Sequence, residues 1–307
     1  MRIVFFGTPE FSVPALRALL EEGFDVVGVV TQPDRPVGRS RSKVTAPPVK
    51  PVAEAEGLPI LQPEKPVGDL FAKALQHLTP DVGVVVAYGH VLRPDILAIP
   101  PQGMINVHAS LLPRLRGPAP VHWAILNGEE TTGISIMQME AALDTGAVIH
   151  RIETEVASDE TGGELTARLA ELGAAALIEA LTLITAGAAR PQPQNEALAT
   201  YAPKIDREAA RLGWNHDAAH LARCVRAFDP EPGAWSTLDD TEIKFFGARA
   251  VSGSSEPGTV IAADNTLVIA GAVGAMEVQE IQLAGRRRMQ ASSWIRGRGV
   301  TVGQRFQ

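Results

Sequence analysis

From Met1 to about Ala188 the chain alternates short runs of Val, Ile and Phe with stretches of helical spacing, and no other feature limits its fold as much. RIVFFG (2–7), DVVGVVT (25–31), PILQ (59–62), DVGVVVAY (81–88) and GMINVHAS (103–110) read as strands. A strand that is apolar throughout buries both faces, which requires helices on both sides of a parallel sheet. The expectation is therefore an α/β layer with a mostly parallel sheet. TGISIMQM (132–139) and AVIHRIETEV (147–156), joined by EAALDTG, read as a later pair able to run antiparallel. TGGELTARLAELGAAALIEALTLITAG (161–187) reads as a long helix with one apolar face.

Residues 189–205, ARPQPQNEALATYAPKI, are Pro- and Gln-rich without a period, and are expected to form a linker. REAARLGWNHDAAHLARCVRAF (207–228) then reads as a helix, followed by short alternating runs that suggest a small, OB-like β-barrel. The expected domains are 1–188, a linker at 189–205, and 206–307. Charge separates the two ends. Residues 1–190 carry 15 Lys/Arg against 22 Asp/Glu, whereas residues 191–307 carry 13 against 13, and the last 27 hold six arginines and no acid. A basic end on an acidic chain can meet phosphate. A single cysteine, Cys224, excludes an internal disulfide and favours a reducing, cytoplasmic setting. No apolar run is long enough to cross a membrane, and the N-terminus lacks a signal-peptide pattern.

A Rossmann-like start invites a nucleotide reading, but the first turn, Gly7-Thr8-Pro9-Glu10-Phe11, has only the first of the three glycines that bring a backbone onto a pyrophosphate. No Walker motif occurs. His216, His220 and Cys224 fall at i, i+4 and i+8 of the expected helix, a ladder of about 12 Å that cannot converge on one ion. No metal is expected.

Chemistry concentrates in residues 103–146. Asn106 and His108 lie two apart on one strand, so both face the same side near its C-terminal end, where α/β sheets bind ligands. A carboxamide donor beside an imidazole suits acyl chemistry: one supports a developing oxyanion, the other moves a proton. Asp144, in ALDTG, could orient the imidazole. No GxSxG elbow is present in this stretch, so the attacking atom is expected to belong to the substrate.

The run Asn106-Val107-His108-Ala109-Ser110-Leu111-Leu112-Pro113 resembles the Asn-x-His and Ser-Leu-Leu-Pro signature of formyltransferases that use 10-formyltetrahydrofolate. Arg114-Leu115-Arg116-Gly117, Val85-Val86-Ala87-Tyr88-Gly89 and MQMEAALDTG (137–146) extend the resemblance, from which the sequence departs at Ala109, where relatives often carry Gly or Pro. The resemblance implies a Rossmann-like formyltransferase domain followed by an OB-like domain. It also implies Asn106, His108 and Asp144 as the catalytic trio. Tyr88, Gly89, Ser110, Leu111, Leu112, Pro113, Met139 and Glu140 would line the folate site. Phe6-Gly7-Thr8-Pro9-Glu10-Phe11 and Thr31-Gln32-Pro33-Asp34-Arg35-Pro36 are similar to the branch of the family that acts on initiator methionyl-tRNA.

RNA recognition is expected from two regions. The loop 32–50 carries Arg35, Arg39, Arg41, Lys43 and Lys50 against Asp34, and the second domain supplies Lys204, Arg286, Arg287 and Arg288. A monomer is expected. The alternative is a formyltransferase for a small amine, such as an amino-sugar nucleotide or glycinamide ribonucleotide, which would share the trio but not need the basic loop.

Overall fold

The computed structural model describes residues 1–37 and 43–307. It divides into two compact units. The first contains Met1–Pro118, Thr131–Glu155 and Thr166–Ala202; the second contains Ala119–Glu130, Val156–Leu165 and Pro203–Gln307.

In the first unit the strands among the described residues are β1 (Arg2–Gly7), β2 (Asp25–Val30), β3 (Arg35–Val37), β4 (Lys43–Thr45), β5 (Ile60–Leu61), β6 (Val82–Val86), β7 (Met104–His108), β8 (Thr131–Gln138) and β9 (Val148–Glu155). Seven of them form one sheet in the order β5-β2-β1-β6-β7-β8-β9; β3 and β4 make a separate antiparallel ribbon. β5 through β7 run parallel, as their Val-rich sequences require, and β8 and β9 are antiparallel. The order reverses between β1 and β6, so the crevice beyond their C-terminal ends is the switch point where such sheets take ligands. Val82–Val86 is buried at every position. Helices α1 (Val13–Glu21), α2 (Val49–Ala55), α3 (Asp69–His77) and α4 (Pro94–Leu97) connect the strands.

Helix α5 (Pro120–Asn127) belongs to the second unit, and α6 (Gly162–Thr185) runs from the second into the first. A capping box starts α6: Thr161 Oγ1 accepts from the Glu164 backbone N–H at 3.2 Å, and the Glu164 carboxylate accepts from the Thr161 N–H at 2.9 Å. The helix expected over 207–228 is shorter. Only α7 (Ala218–Ala227) is helical, because Asp217 caps it by accepting from the His220 N–H at 2.7 Å, after turns through Gly213 and Asn215. His216 therefore precedes the helix, and its ring stacks on His220 with centroids 4.4 Å apart.

Strands β10 (Ala234–Leu238), β11 (Thr241–Val251), β12 (Val260–Ala263), β13 (Leu267–Ala270), β14 (Ala275–Leu283) and β15 (Met289–Gln290) form an antiparallel sheet, β10-β11-β14-β13-β12, with β15 on β14; α8 (Ala291–Arg296) follows. The tail joins its two edges. The Val260 N–H donates to the Gln304 carbonyl at 2.9 Å and the Phe306 N–H to the Gly258 carbonyl at 2.9 Å, while the Gln307 N–H donates to the Thr237 carbonyl at 2.9 Å. Phe306 enters the core with its ring centroid 5.2 Å from Phe245 and 5.6 Å from Trp214. Burying such a ring contributes about 1.5–3 kcal/mol. Among the described residues no helix is long and apolar enough to cross a membrane.

Candidate active site

β7 lies between β6 and β8, and its last residues pair Asn106 with Met137 and His108 with Ser135. Alternation along the strand puts Asn106 and His108 on one face. The chain then leaves the sheet as a loop, 109–118, shaped by hydrogen bonds rather than by regular structure. Ser110 Oγ donates to the Arg114 carbonyl at 2.6 Å, Ser135 Oγ donates to the Ser110 carbonyl at 2.7 Å, and the Leu112 N–H donates back to Ser135 Oγ at 3.1 Å. This turn brings the Leu115 carbonyl within 3.0 Å of His108 Nε2. A carbonyl only accepts, so Nε2 carries the hydrogen. In the neutral imidazole that leaves Nδ1 as the nitrogen without a hydrogen.

His108 Nδ1 stands 3.8 Å from Asp144 Oδ2, with the two side chains 6% and 10% exposed. The separation is too long for a direct hydrogen bond. Asp144 Oδ2 also accepts from the Gly117 N–H at 2.8 Å. The Asp144 backbone is left-handed, φ 54°, a conformation Asp tolerates in tight turns. Asn106 is half-buried, and its carboxamide makes no hydrogen bond among the described residues, so its amide donors are not committed within the chain.

The residues expected to line a folate site divide by what their side chains do. Leu112 is buried with Met137 and Val148, Leu111 and Pro113 are half-buried, and Ser110 ties its own loop. Tyr88 is a core residue: its ring packs edge-on to Phe6 at 5.4 Å, and burial pushes its hydroxyl pKa up to about 12. What it offers the switch-point crevice is backbone, where its carbonyl accepts from Thr8 Oγ1 at 3.0 Å and from Gln32 Nε2 at 3.1 Å. Gly89, exposed at φ 84°, has no side chain to obstruct that point, and a Cβ there would meet Gln32 Nε2 at 2.5 Å. Met139 packs on the cluster containing Tyr88, Leu92 and Met104, whereas Glu140 is exposed.

Of the cations expected to meet RNA, Arg35 is exposed on the β3–β4 ribbon, Arg39 and Arg41 lie outside the described residues, as does the Lys43 side chain, and Lys50 pairs with Asp34 at 2.8 Å. In the second unit Lys204, Arg286 and Arg287 are exposed. Arg288 is engaged instead: it pairs with Asp229 at 2.9 Å and Glu280 at 2.5 Å, and its guanidinium lies 4.1 Å above the Phe246 ring. Cys224 Sγ lies 3.4 Å from His220 Nε2, and burial pushes the thiol pKa up to about 11, which keeps it protonated and unreactive. Among the described residues no group of three or more His, Cys, Asp or Glu is placed to hold a metal ion.

Four residues near His108 are not among those the sequence singles out for the site. Ser135 holds the 110–112 turn, and Arg116, Gln194 and Thr200 tie the loop to the Pro- and Gln-rich stretch. Arg116 sits inside a recognisable run; Gln194 and Thr200 come from a segment whose composition reads as solvated chain.

A mostly parallel sheet that carries Asn106 and His108 at the end of β7, with Asp144 facing His108, is the arrangement of a group-transfer α/β fold, and the family follows from comparison. Residues 1–181 match the family model described as formyl transferase and residues 204–299 the one described as formyl transferase, C-terminal domain; the chain belongs to that family. It is similar to the methionyl-tRNA formyltransferase of Citrifermentans bemidjiense, with 43% identity over 97% of this chain and 93% of that one. It is 42% identical to the methionyl-tRNA formyltransferase of Bacillus subtilis over 98% of this chain and 96% of that one. Among solved structures, an N-formyltransferase from Helicobacter canadensis in complex with folinic acid and dTDP-3-aminofucose aligns with a TM-score of 0.67 at 15% identity, covering 94% of this chain and 99% of that chain. That last likeness is one of fold.

Proposed function

We propose that the chain transfers the formyl group of 10-formyltetrahydrofolate to the α-amino group of initiator methionyl-tRNA, with Asn106, His108 and Asp144 as its catalytic residues. The observation that carries this reading is His108 Nδ1 set 3.8 Å from Asp144 on the strand face that also presents Asn106. The high identity to methionyl-tRNA formyltransferases over nearly the whole chain supports the choice of substrate. The likeness to a sugar N-formyltransferase is too distant to favour a small amine.

The neutral amine attacks the formyl carbon, a C–N bond forms, and negative charge collects on the formyl oxygen. A donor aimed at that oxygen stabilises the transition state more than the substrate, and the Asn106 carboxamide supplies it. The amine must lose a proton, and N10 of the donor must gain one when the intermediate collapses. His108 Nδ1 relays that proton, and the Asp144 charge stabilises the imidazolium during the transfer. Products are formylated methionyl-tRNA and tetrahydrofolate. The backbone at Tyr88 and Gly89, the loop 110–113 and residues 139–140 would hold the donor.

Along the chain we assign 1–188 to catalysis, 189–205 to the connection, and 206–307 to RNA binding through Lys204, Arg286 and Arg287, with Arg35, Arg39, Arg41 and Lys43 added from the first part. The chain is read as a monomer of the cytoplasm. Labelled 10-formyltetrahydrofolate offered with methionyl-tRNA, free methionine, glycinamide ribonucleotide and an amino-sugar nucleotide tests this. Label should appear in methionyl-tRNA alone; transfer to a small amine and none to the tRNA overturns the reading.

A further inference from the structure

The imidazole of His108 has two oxygen partners, and both are held from the same distant segment. On one side, the Leu115 N–H donates to Thr200 Oγ1 at 2.9 Å and the Arg116 N–H donates to the Thr200 carbonyl at 2.9 Å, which fixes the Leu115 carbonyl that His108 Nε2 meets. On the other, Gln194 Nε2 donates to the carbonyls of Asp144 and Gly146, both at 2.8 Å. Gln194 Oε1 accepts from Arg116 Nε at 3.0 Å and Nη2 at 2.8 Å. The Gln194 amide thereby uses both donors and both lone pairs. Two further Arg116 donors reach the Glu196 carboxylate, at 2.9 and 2.7 Å, as a second fork.

Arg116 is buried, 8% exposed, and its guanidinium pKa is raised, first by the hydrogen bonds to Glu196 and further by the charges of Glu196 and Asp144. A positive charge thus sits beside the carboxylate that faces His108. The close approach of the segment is built into the backbone. Gly117 has φ 112°, and a Cβ there would stand 2.7 Å from the Ala202 carbonyl and 2.6 Å from the Tyr201 ring. Only glycine lets residues 200–202 lie against the loop, where the Ala202 N–H donates to the Arg116 carbonyl at 2.7 Å.

We infer that Gln194, with Arg116 and Thr200, is a positioning residue for the formyl transfer: it sets the distance between Asp144 and His108 from within a segment that composition marks as a connector. This rests on the catalytic reading of His108 and Asp144. Among the described residues the Asp144 backbone carbonyl accepts no hydrogen bond besides the one from Gln194. Removing it leaves the Asp144 turn free to shift, and displacements of about 1 Å at a reacting group cost about 10²-fold in rate.

A double-mutant cycle tests it, measured as turnover of 10-formyltetrahydrofolate with methionyl-tRNA in the full chain, with melting temperature recorded for every variant. Gln194→Ala should lower kcat ~10–100-fold while KM for either substrate stays within about twofold. In an Asp144→Ala background the same substitution should change kcat by less than about twofold, because its effect passes through Asp144. Gln194→Glu keeps an acceptor for Arg116 but loses both donors, and should resemble Gln194→Ala in kcat; it serves as the second variant should Gln194→Ala fail to fold. Equal losses with and without Asp144, or wild-type kcat in Gln194→Ala, overturn the inference. Wild-type kcat in Asp144→Ala overturns the catalytic reading itself, a result the Gln194 variants cannot mimic.

Discussion

Arg116 and Arg288 are built alike and serve different ends. Each is an arginine fork held by two polar partners, Gln194 and Glu196 for the one, Asp229 and Glu280 for the other. Around Arg116 both partners belong to the connector, whose other hydrogen bonds lead to the surroundings of His108. Around Arg288 they join the end of α7 to β14, and the guanidinium lies on Phe246 within the β-domain. One network surrounds the His108 imidazole; the other closes a fold. A count of positive residues treats them as equivalent, and only the identity of the partners separates them.

The largest effects should come from the groups that the Arg116 network surrounds. His108→Ala is expected to lower turnover ~10²–10⁴-fold, and Asn106→Ala ~10²–10³-fold with unchanged folate affinity; a fully active His108→Ala enzyme would make the imidazole structural. Next, the two arginines themselves should part company. Arg116→Ala should slow turnover ~10–100-fold. Arg288→Ala leaves the Asp229 carboxylate, 9% exposed, without its cation and should cost about 1–3 kcal/mol of unfolding free energy, read by denaturant titration, with turnover per folded molecule within about twofold. If both variants fail in the same assay, the distinction is lost.

Smaller effects concern the exposed cations Arg286 and Arg287. Arg286→Ala combined with Arg287→Ala should weaken methionyl-tRNA binding a few-fold and flatten the slope of log affinity against log salt by about 1–2. Arg288→Ala should leave that slope unchanged. The smallest effect is one of pH. Burial lowers the pKa of His122, whose ring lies 6.4 Å from Phe228, and burial with the charges of His216 and Arg223 lowers that of His220. For a histidine with a depressed folded pKa, the unfolded chain binds the proton first. Stability is therefore complete near pH 7 and falls as pH drops through about 6.5 toward the lowered folded values. His122→Phe should reduce that fall in a melting series between pH 7 and 5.

Much of this could be read from sequence, for identifiable reasons. The wholly apolar run VGVVV at 82–86 specifies a strand buried on both faces, and alternation alone puts Asn106 and His108 together. Helix periodicity misleads at 207–217, where Leu212 and Trp214 mimic an apolar face but Gly213, Asn215 and the capping Asp217 delay the helix to Ala218. Asp144 approaches His108 across 36 residues, a distance that no spacing rule reaches. Least legible is Gln194: its function depends on four hydrogen bonds to groups far along the chain, and a Pro-Gln stretch has no period to betray them.

The hydrogen bonds from 194–202 bear on how this enzyme can be dissected. Replacing 194–200 in the full chain by a Gly-Ser spacer of equal length would retain Asn106, His108 and Asp144 while forfeiting the Thr200 and Gln194 contacts that steady the imidazole's surroundings. Such a chain should be sluggish even toward an acceptor that needs no RNA recognition. Putting Gln194 and Thr200 back into the spacer should return much of the speed.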